Sequence, residues 1–237
     1  MINKDNDRKN IIISIIDSGI DINKLNLDCY VLESINYWIN ERGHVNFEYF
    51  NKCSNDHGTI IALVIKYMHE NVRFISHNIL DENLKSDGRI LISALEHAIE
   101  DNPDIIHMSL GTNKIRYYMP LKKLIRKAKK KGIIIVSAAS NTGNISFPSI
   151  FKGVVSVKGD GAINFSEYEY RMGYFVASNN VVHIPNINHI NNYEYYIGTS
   201  MAAAYITGQI AKIKSKGRDN YNVETIYTLL KLGIRII

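Results

Sequence analysis

Ile11-Ile12-Ile13-Ser14-Ile15-Ile16-Asp17-Ser18-Gly19 is the stretch on which the fold turns. Five isoleucines in six positions leave the run without a polar face. β-Branched side chains crowd a helix and suit a pleated strand, and a run with no alternation fits a strand covered on both sides, as in parallel sheets. Asp17 stands just past the carboxyl end of that strand, where open parallel sheets place their chemistry. Asp-Ser-Gly is also a common turn composition, so these residues alone leave a plain turn aspartate open.

Outward from this strand, strands and helices alternate. Tyr30 to Ile39 and Val72 to Ile79 read as strands, with an irregular, aromatic and polar stretch at Arg42 to Asn55 that suits a hairpin or surface loop. His57 to Met68 carries Ile60, Ile61, Val64, Ile65 and Met68 at helical spacing. Ile90 to Glu100 is a helix stopped by Asn102-Pro103, and Asp104 to Met108 a strand running into Ser109-Leu110-Gly111. Leu121 to Lys131 is a helix ended by Gly132, followed by a buried strand at Ile133 to Val136. Strands at Val154 to Val157 and Tyr174 to Ala177 follow, then an Asn-, Ile- and Tyr-rich segment from Val181 to Tyr196 that suits a hairpin. Ser200 to Lys214 is a long helix with Gly208 as a close-packing point, and Val223 to Leu232 a last helix capped by Asn222. The alternation predicts a three-layer α/β fold with a mainly parallel central sheet and helices on both faces. No repeat or linker divides the chain, so residues 1–237 are expected to form one domain.

Gly198-Thr199-Ser200-Met201-Ala202-Ala203-Ala204 delivers a serine to the first turn of that long helix. Backbone N–H groups at a helix start are unpaired and can hold a developing oxyanion. Ser200 as a simple cap on an Ala-rich helix is the alternative for this motif taken alone. Two further motifs stand beside it: His57-Gly58-Thr59, opening a helix, and Ser137-Ala138-Ala139-Ser140-Asn141, closing a strand. Seven other histidines give the residue type no weight by itself, so His57 is singled out by its setting.

The order Asp17, His57, Asn141, Ser200 resembles that of the subtilisin-like serine proteases. The resemblance extends from about Ile11 to Leu230. It implies a serine endopeptidase working through an acyl-enzyme, with no cofactor. Ser200 would be the nucleophile, His57 its base and later the acid, and Asp17 the group that orients His57, with Asp21 and Asp56 as nearby competitors. Asn141 would donate to the oxyanion together with the Ser200 N–H, and Thr199 would add a weaker contact. The substrate would lie as an added strand against Ser109, Leu110 and Gly111 and against Ser86-Asp87-Gly88, with Ala138, Ala139 and Ser140 walling the pocket before the scissile bond.

The chain departs from the family pattern in four ways. Ala203-Ala204 replaces the usual Ser-Pro or Ala-Pro, Ser140 replaces a glycine, and Ile60-Ile61-Ala62-Leu63 replaces His-Val-Ala-Gly. The short span between the His57 helix and Val72 leaves no room for a calcium loop, so no metal is expected there. The Asp17 strand begins almost at Met1, which suggests a compact member without a prodomain.

A net charge of +5 suggests solubility rather than a nucleic-acid partner. Seven charged positions among ten from Lys122 to Lys131, with apolar residues at helical spacing, read as a solvated helix face. No run has the length of a membrane span or signal-peptide core, and Cys29 and Cys53 lack metal-ligand spacing. A peptide or protein substrate, free thiols and a cytoplasmic location are the expectations, with a role in cutting leaders from precursor peptides. A protein of this fold that binds a peptide or partner without cutting is the rival from another class.

Overall fold

A computed structural model of the chain describes residues 10–140, 144–165, 167–217 and 221–233. Its strands and α-helices run β1 (Ile11–Asp17), β2 (Val31–Ile39), β3 (Val45–Tyr49), α1 (His57–Met68), β4 (Val72–Asn78), α2 (Gly88–Glu100), β5 (Ile105–Met108), α3 (Tyr118–Lys130), β6 (Ile134–Ala138), β7 (Val154–Gly159), β8 (Tyr168–Arg171), β9 (Tyr174–Ala177), α4 (Thr199–Lys216) and α5 (Val223–Gly233). The nine strands form one sheet in the order β3-β2-β4-β1-β5-β6-β7-β9-β8. Every pairing is parallel except β2–β3 and β8–β9 at the two edges.

The isoleucine run is explained by its place in the middle of this sheet. Ile11, Ile13 and Ile15 join the core beneath α1, α4 and α5. Ile16 joins the opposite core beneath α2 and α3, with Ile12 packed against it. With apolar layers on both sides, no position of β1 has a wet face, and period-two alternation disappears. The sequence order also reverses at β1: β4 pairs with it on one side and β5 on the other. Asp17 therefore ends the strand at which the sheet's winding switches, and that is where a crevice opens.

The helices follow from local chemistry. α2 starts two residues ahead of its apolar stripe because Asp87 caps it, accepting from Arg89 N at 2.8 Å. α3 begins at Tyr118, with Pro120 in its first turn, where no intrahelical N–H is lost. It buries Leu121, Leu124, Ile125 and Ala128, while Lys123, Arg126, Lys129 and Lys130 stay exposed. α5 is capped by Asn222, which accepts from Thr225 N at 2.9 Å. A Cβ on Gly208 of α4 would lie 2.3 Å from Met68 Cβ of α1, so glycine here lets the two helices touch.

One expectation from sequence needs correcting. Val181 to Tyr196 forms no hairpin; it is an irregular segment with single 3-10 turns at Ile187–His189 and Tyr193–Tyr195. Asn186 and Asn192 precede those turns in left-handed conformation, which asparagine tolerates and a strand does not. The sheet also gains the short edge strand β8. Among the described residues, no helix is long and apolar enough to cross a membrane, and both cysteines are free.

Candidate active site

At the carboxyl end of the sheet, β1 delivers Asp17 to the start of α1. His57 Nδ1 and Asp17 Oδ1 are 2.7 Å apart, with Asp17 fully buried and His57 nearly so. Asp17 Oδ1 also accepts from Ser18 N at 2.8 Å. The two competitors go elsewhere: Asp56 Oδ1 lies 2.6 Å and Asp21 Oδ2 3.7 Å from Lys24 Nζ. Burial pushes the Asp17 carboxyl up, but the neighbouring His57 outweighs it and holds the group below the usual carboxylate range. Burial likewise pushes His57 down, and the Asp17 charge and hydrogen bond outweigh it, so His57 titrates above an ordinary imidazole.

The approach of these two elements is set by small residues. A Cβ on Gly58 would lie 2.3 Å from Gly19 O and 3.3 Å from Asp17 Oδ1. Gly19 has φ +87°, and a Cβ there would collide with Lys52 O at 2.1 Å. The first turn of α1 is tied down by side chains that sequence reasoning did not single out. Asn55 Oδ1 accepts from His57 N at 3.0 Å, and Ser18 Oγ accepts from Gly58 N at 3.0 Å while donating to Asn55 O at 2.6 Å. The Tyr196 hydroxyl donates to Asn55 Oδ1 at 3.0 Å, and its ring stands 6.1 Å from the His57 ring. This links the segment before Gly198 to the His57 loop across 141 positions. Asn55, two residues before a helix start, carried a cap signal; Tyr196 carried none.

Ser200 sits in the first turn of α4, next to Gly198, which precedes the helix. Its hydroxyl donates to Ser109 O at 3.3 Å. Ser200 stands where two cavities meet. One, about 490 Å³, is lined by Ser109, Leu110, Gly111, Ala138, Ala139, Ser140 and Thr199, together with Ser86, Asp87 and Gly88. The other, about 480 Å³, is lined by His57, Tyr196, Gly198 and Met201. Every substrate-binding residue expected from sequence thus borders one cleft. Asn141 lies outside the described residues. Thr199 Oγ1 accepts from Gly159 N at 3.4 Å.

In the wall of the first cavity, Thr112 pairs through its backbone with Phe147, at 2.9 and 2.8 Å. Asp87 is not a free carboxylate in this wall. Arg89 contacts it at 3.1 Å, and those bonds hold its carboxyl down to about 2. Among the described residues, no group of three or more His, Cys, Asp or Glu side chains is arranged to hold a metal ion.

The chain and its fold are similar to those of known proteins. The chain is 27% identical over 230 residues to "Thermophilic serine proteinase" of Bacillus sp. (strain AK1), covering 89% of this chain and 54% of that protein, so it spans about half of that relative's length. It is 26% identical over 238 residues to "Major intracellular serine protease" of Bacillus subtilis (strain 168), covering 90% of this chain and 71% of the relative. The fold is similar to that of a cold adapted subtilisin-like serine proteinase (TM-score 0.71, 18% identity, 95% of this chain and 82% of the other). It is also similar to that of a lanthipeptide protease (TM-score 0.68, 17% identity, 94% and 80%). The model of the subtilase family matches residues 8–232, so the chain belongs to the subtilase family.

Proposed function

We propose that the chain is a serine endopeptidase. The observation that carries this is the buried 2.7 Å contact of Asp17 with His57, whose ring shares a cavity with Ser200. In the proposed reaction the Ser200 hydroxyl attacks the scissile carbonyl carbon and His57 Nε2 takes its proton. Asp17 fixes the tautomer with hydrogen on Nδ1 and stabilises the imidazolium. The oxyanion is held by the Ser200 N–H and the Asn141 amide. His57 then returns the proton to the leaving amine, and water, activated by the same ring, hydrolyses the acyl-enzyme. The substrate backbone lies along Ser109 to Gly111, with the residue before the cut against Ala138, Ala139 and Ser140.

The Ser200 hydroxyl resting on Ser109 O favours the second reading, a protein that binds peptides without cutting them. Rotation about the Ser200 Cα–Cβ bond is the movement by which the peptidase would bring the hydroxyl to His57. A fluorophosphonate probe separates the two. A peptidase labels at Ser200 and loses labelling in Ser200→Ala; folded protein that takes no label is a binding module.

Within the peptidase reading we place the enzyme in the cytoplasm, supported by its free thiols, and assign it a narrow task, the removal of a leader from a precursor peptide. A broad protease loose among cytoplasmic proteins would be harmful, which supports the restriction. Efficient digestion of casein by the purified protein would overturn it.

A further inference from the structure

The core beside the active site holds a second buried histidine, which the proposed reaction leaves unused. His107, in β5, is 0% exposed. Its Nδ1 lies 2.8 Å from Thr207 Oγ1 and its Nε2 lies 2.6 Å from Ser109 Oγ. The protons on this chain can be assigned. Thr207 donates its one hydroxyl hydrogen to Ala203 O at 2.9 Å, so toward His107 it can only accept. Nδ1 of His107 therefore carries the ring proton, and Nε2 is the bare acceptor for the Ser109 hydroxyl. Burial holds the His107 pKa down to about 4, so the ring stays neutral and puts no second cation beside His57.

The three residues bridge two parts of the site. Thr207 lies on α4, the helix that begins with Ser200's turn. Ser109 is the first residue beyond the sheet ladder, because β5 pairs no further than Met108 with β1 and with β6. It borders the cavity of about 490 Å³, and its carbonyl meets the Ser200 hydroxyl. The contact of Ser109 Oγ with His107 adds a side-chain hold at the point where the paired strand ends.

We propose that His107 is a positioning residue that holds the Ser109 backbone in register with the helix carrying Ser200, by joining Ser109 Oγ to Thr207 through its ring, so that an extended substrate strand pairs with its scissile carbonyl at the nucleophile. The inference rests on the peptidase reading and deepens it. A substrate that spans Ser109 to Gly111 depends on the tether; a small phosphonylating probe that meets only Ser200 and His57 does not.

The experiment compares the wild type with His107→Leu, Thr207→Val and Thr207→Ser in two assays, cleavage of an extended peptide and labelling of Ser200 by a small fluorophosphonate. Thermal midpoints report folding. His107→Leu and Thr207→Val are expected to lower kcat/KM for the peptide by at least about tenfold while changing the labelling rate by less than about threefold, since a misplacement of about 1 Å can cost up to a hundredfold. Thr207→Ser keeps the hydroxyl and restores peptide cleavage. The threonine pair answers the question if His107→Leu does not fold. Equal falls in both assays, or no fall in peptide cleavage, overturn the inference and leave the peptidase reading standing. A wild type that takes no label overturns both.

Discussion

Asp17→Asn removes the charge beside His57 and little else. The two groups are 2.7 Å apart; at an effective dielectric constant of about 20, opposite unit charges at that separation attract by about 6 kcal/mol. The asparagine dipole and the reorganised site replace part of this attraction, leaving about 4 kcal/mol, or about three decades in rate. A second effect adds to the first. The asparagine amide can donate to His57 Nδ1, which puts the ring proton on Nε2, where it cannot accept from Ser200; in other Ser-His-Asp enzymes the same exchange costs about four decades. Purified Asp17→Asn is therefore expected to lose between about three and four decades in kcat, with KM little changed.

The pH profile gives the sign independently. In the wild type Asp17 outweighs burial and holds His57 above 6.5, so kcat/KM should rise through a midpoint above pH 6.5 as the base deprotonates. Without the carboxylate only burial acts on the ring, and the midpoint of the residual activity should fall below 6.5. Steady-state rates with a chromogenic peptide from pH 5 to 9 measure both quantities. A loss of less than about tenfold, or a midpoint that stays or rises, would refute the role given to Asp17.

Three further outcomes test other parts of the account. Asn141→Ala should lower kcat by about two to three decades at nearly constant KM, as loss of one oxyanion donor does, measured by the same assay; an effect confined to KM would place Asn141 elsewhere. Tyr196→Phe removes the hydroxyl that shares Asn55 Oδ1 with the His57 N–H and should cost about 1 kcal/mol in the urea unfolding free energy, with a drop in kcat larger than any change in KM. His77 is fully buried and pushed down to about 3, burial being the main cause. The unfolded imidazole binds a proton near pH 6.5 that the folded ring refuses, so stability is lost as pH falls from there toward 3; His77→Gln should flatten the slope of unfolding free energy between pH 6 and 4 by about 1.4 kcal/mol per unit.

Much of this molecule was legible before its fold. The isoleucine run could be read because burial on both faces removes alternation, and α1 was read to its observed ends because its apolar residues recur at helical spacing. The meeting of Asp17 with His57 was legible through the motifs around them, since Gly19 and Gly58 must be small for the two elements to approach; the motif at Ser200 placed it on the same cavity as His57. The segment Val181–Tyr196 misled because its isoleucines and tyrosines suit a strand, while its asparagines set left-handed turns. β8 escaped because four residues at a sheet edge, Tyr168–Arg171, carry too short a pattern. His107 left one trace, an ionisable side chain inside an otherwise apolar buried strand; its partners Thr207 and Ser109 are joined to it by tertiary contacts that no local spacing encodes.

The central claim, that Ser200 is a nucleophile served by His57 and Asp17, is tested most directly by mixing the protein with an activated acyl ester and following release of the alcohol in the first turnover. An acyl-enzyme predicts a burst of one equivalent per protein, an acyl mass on the peptide containing Ser200, and loss of both in Ser200→Ala. Release with no burst and no adduct, by a protein that remains folded, would contradict it.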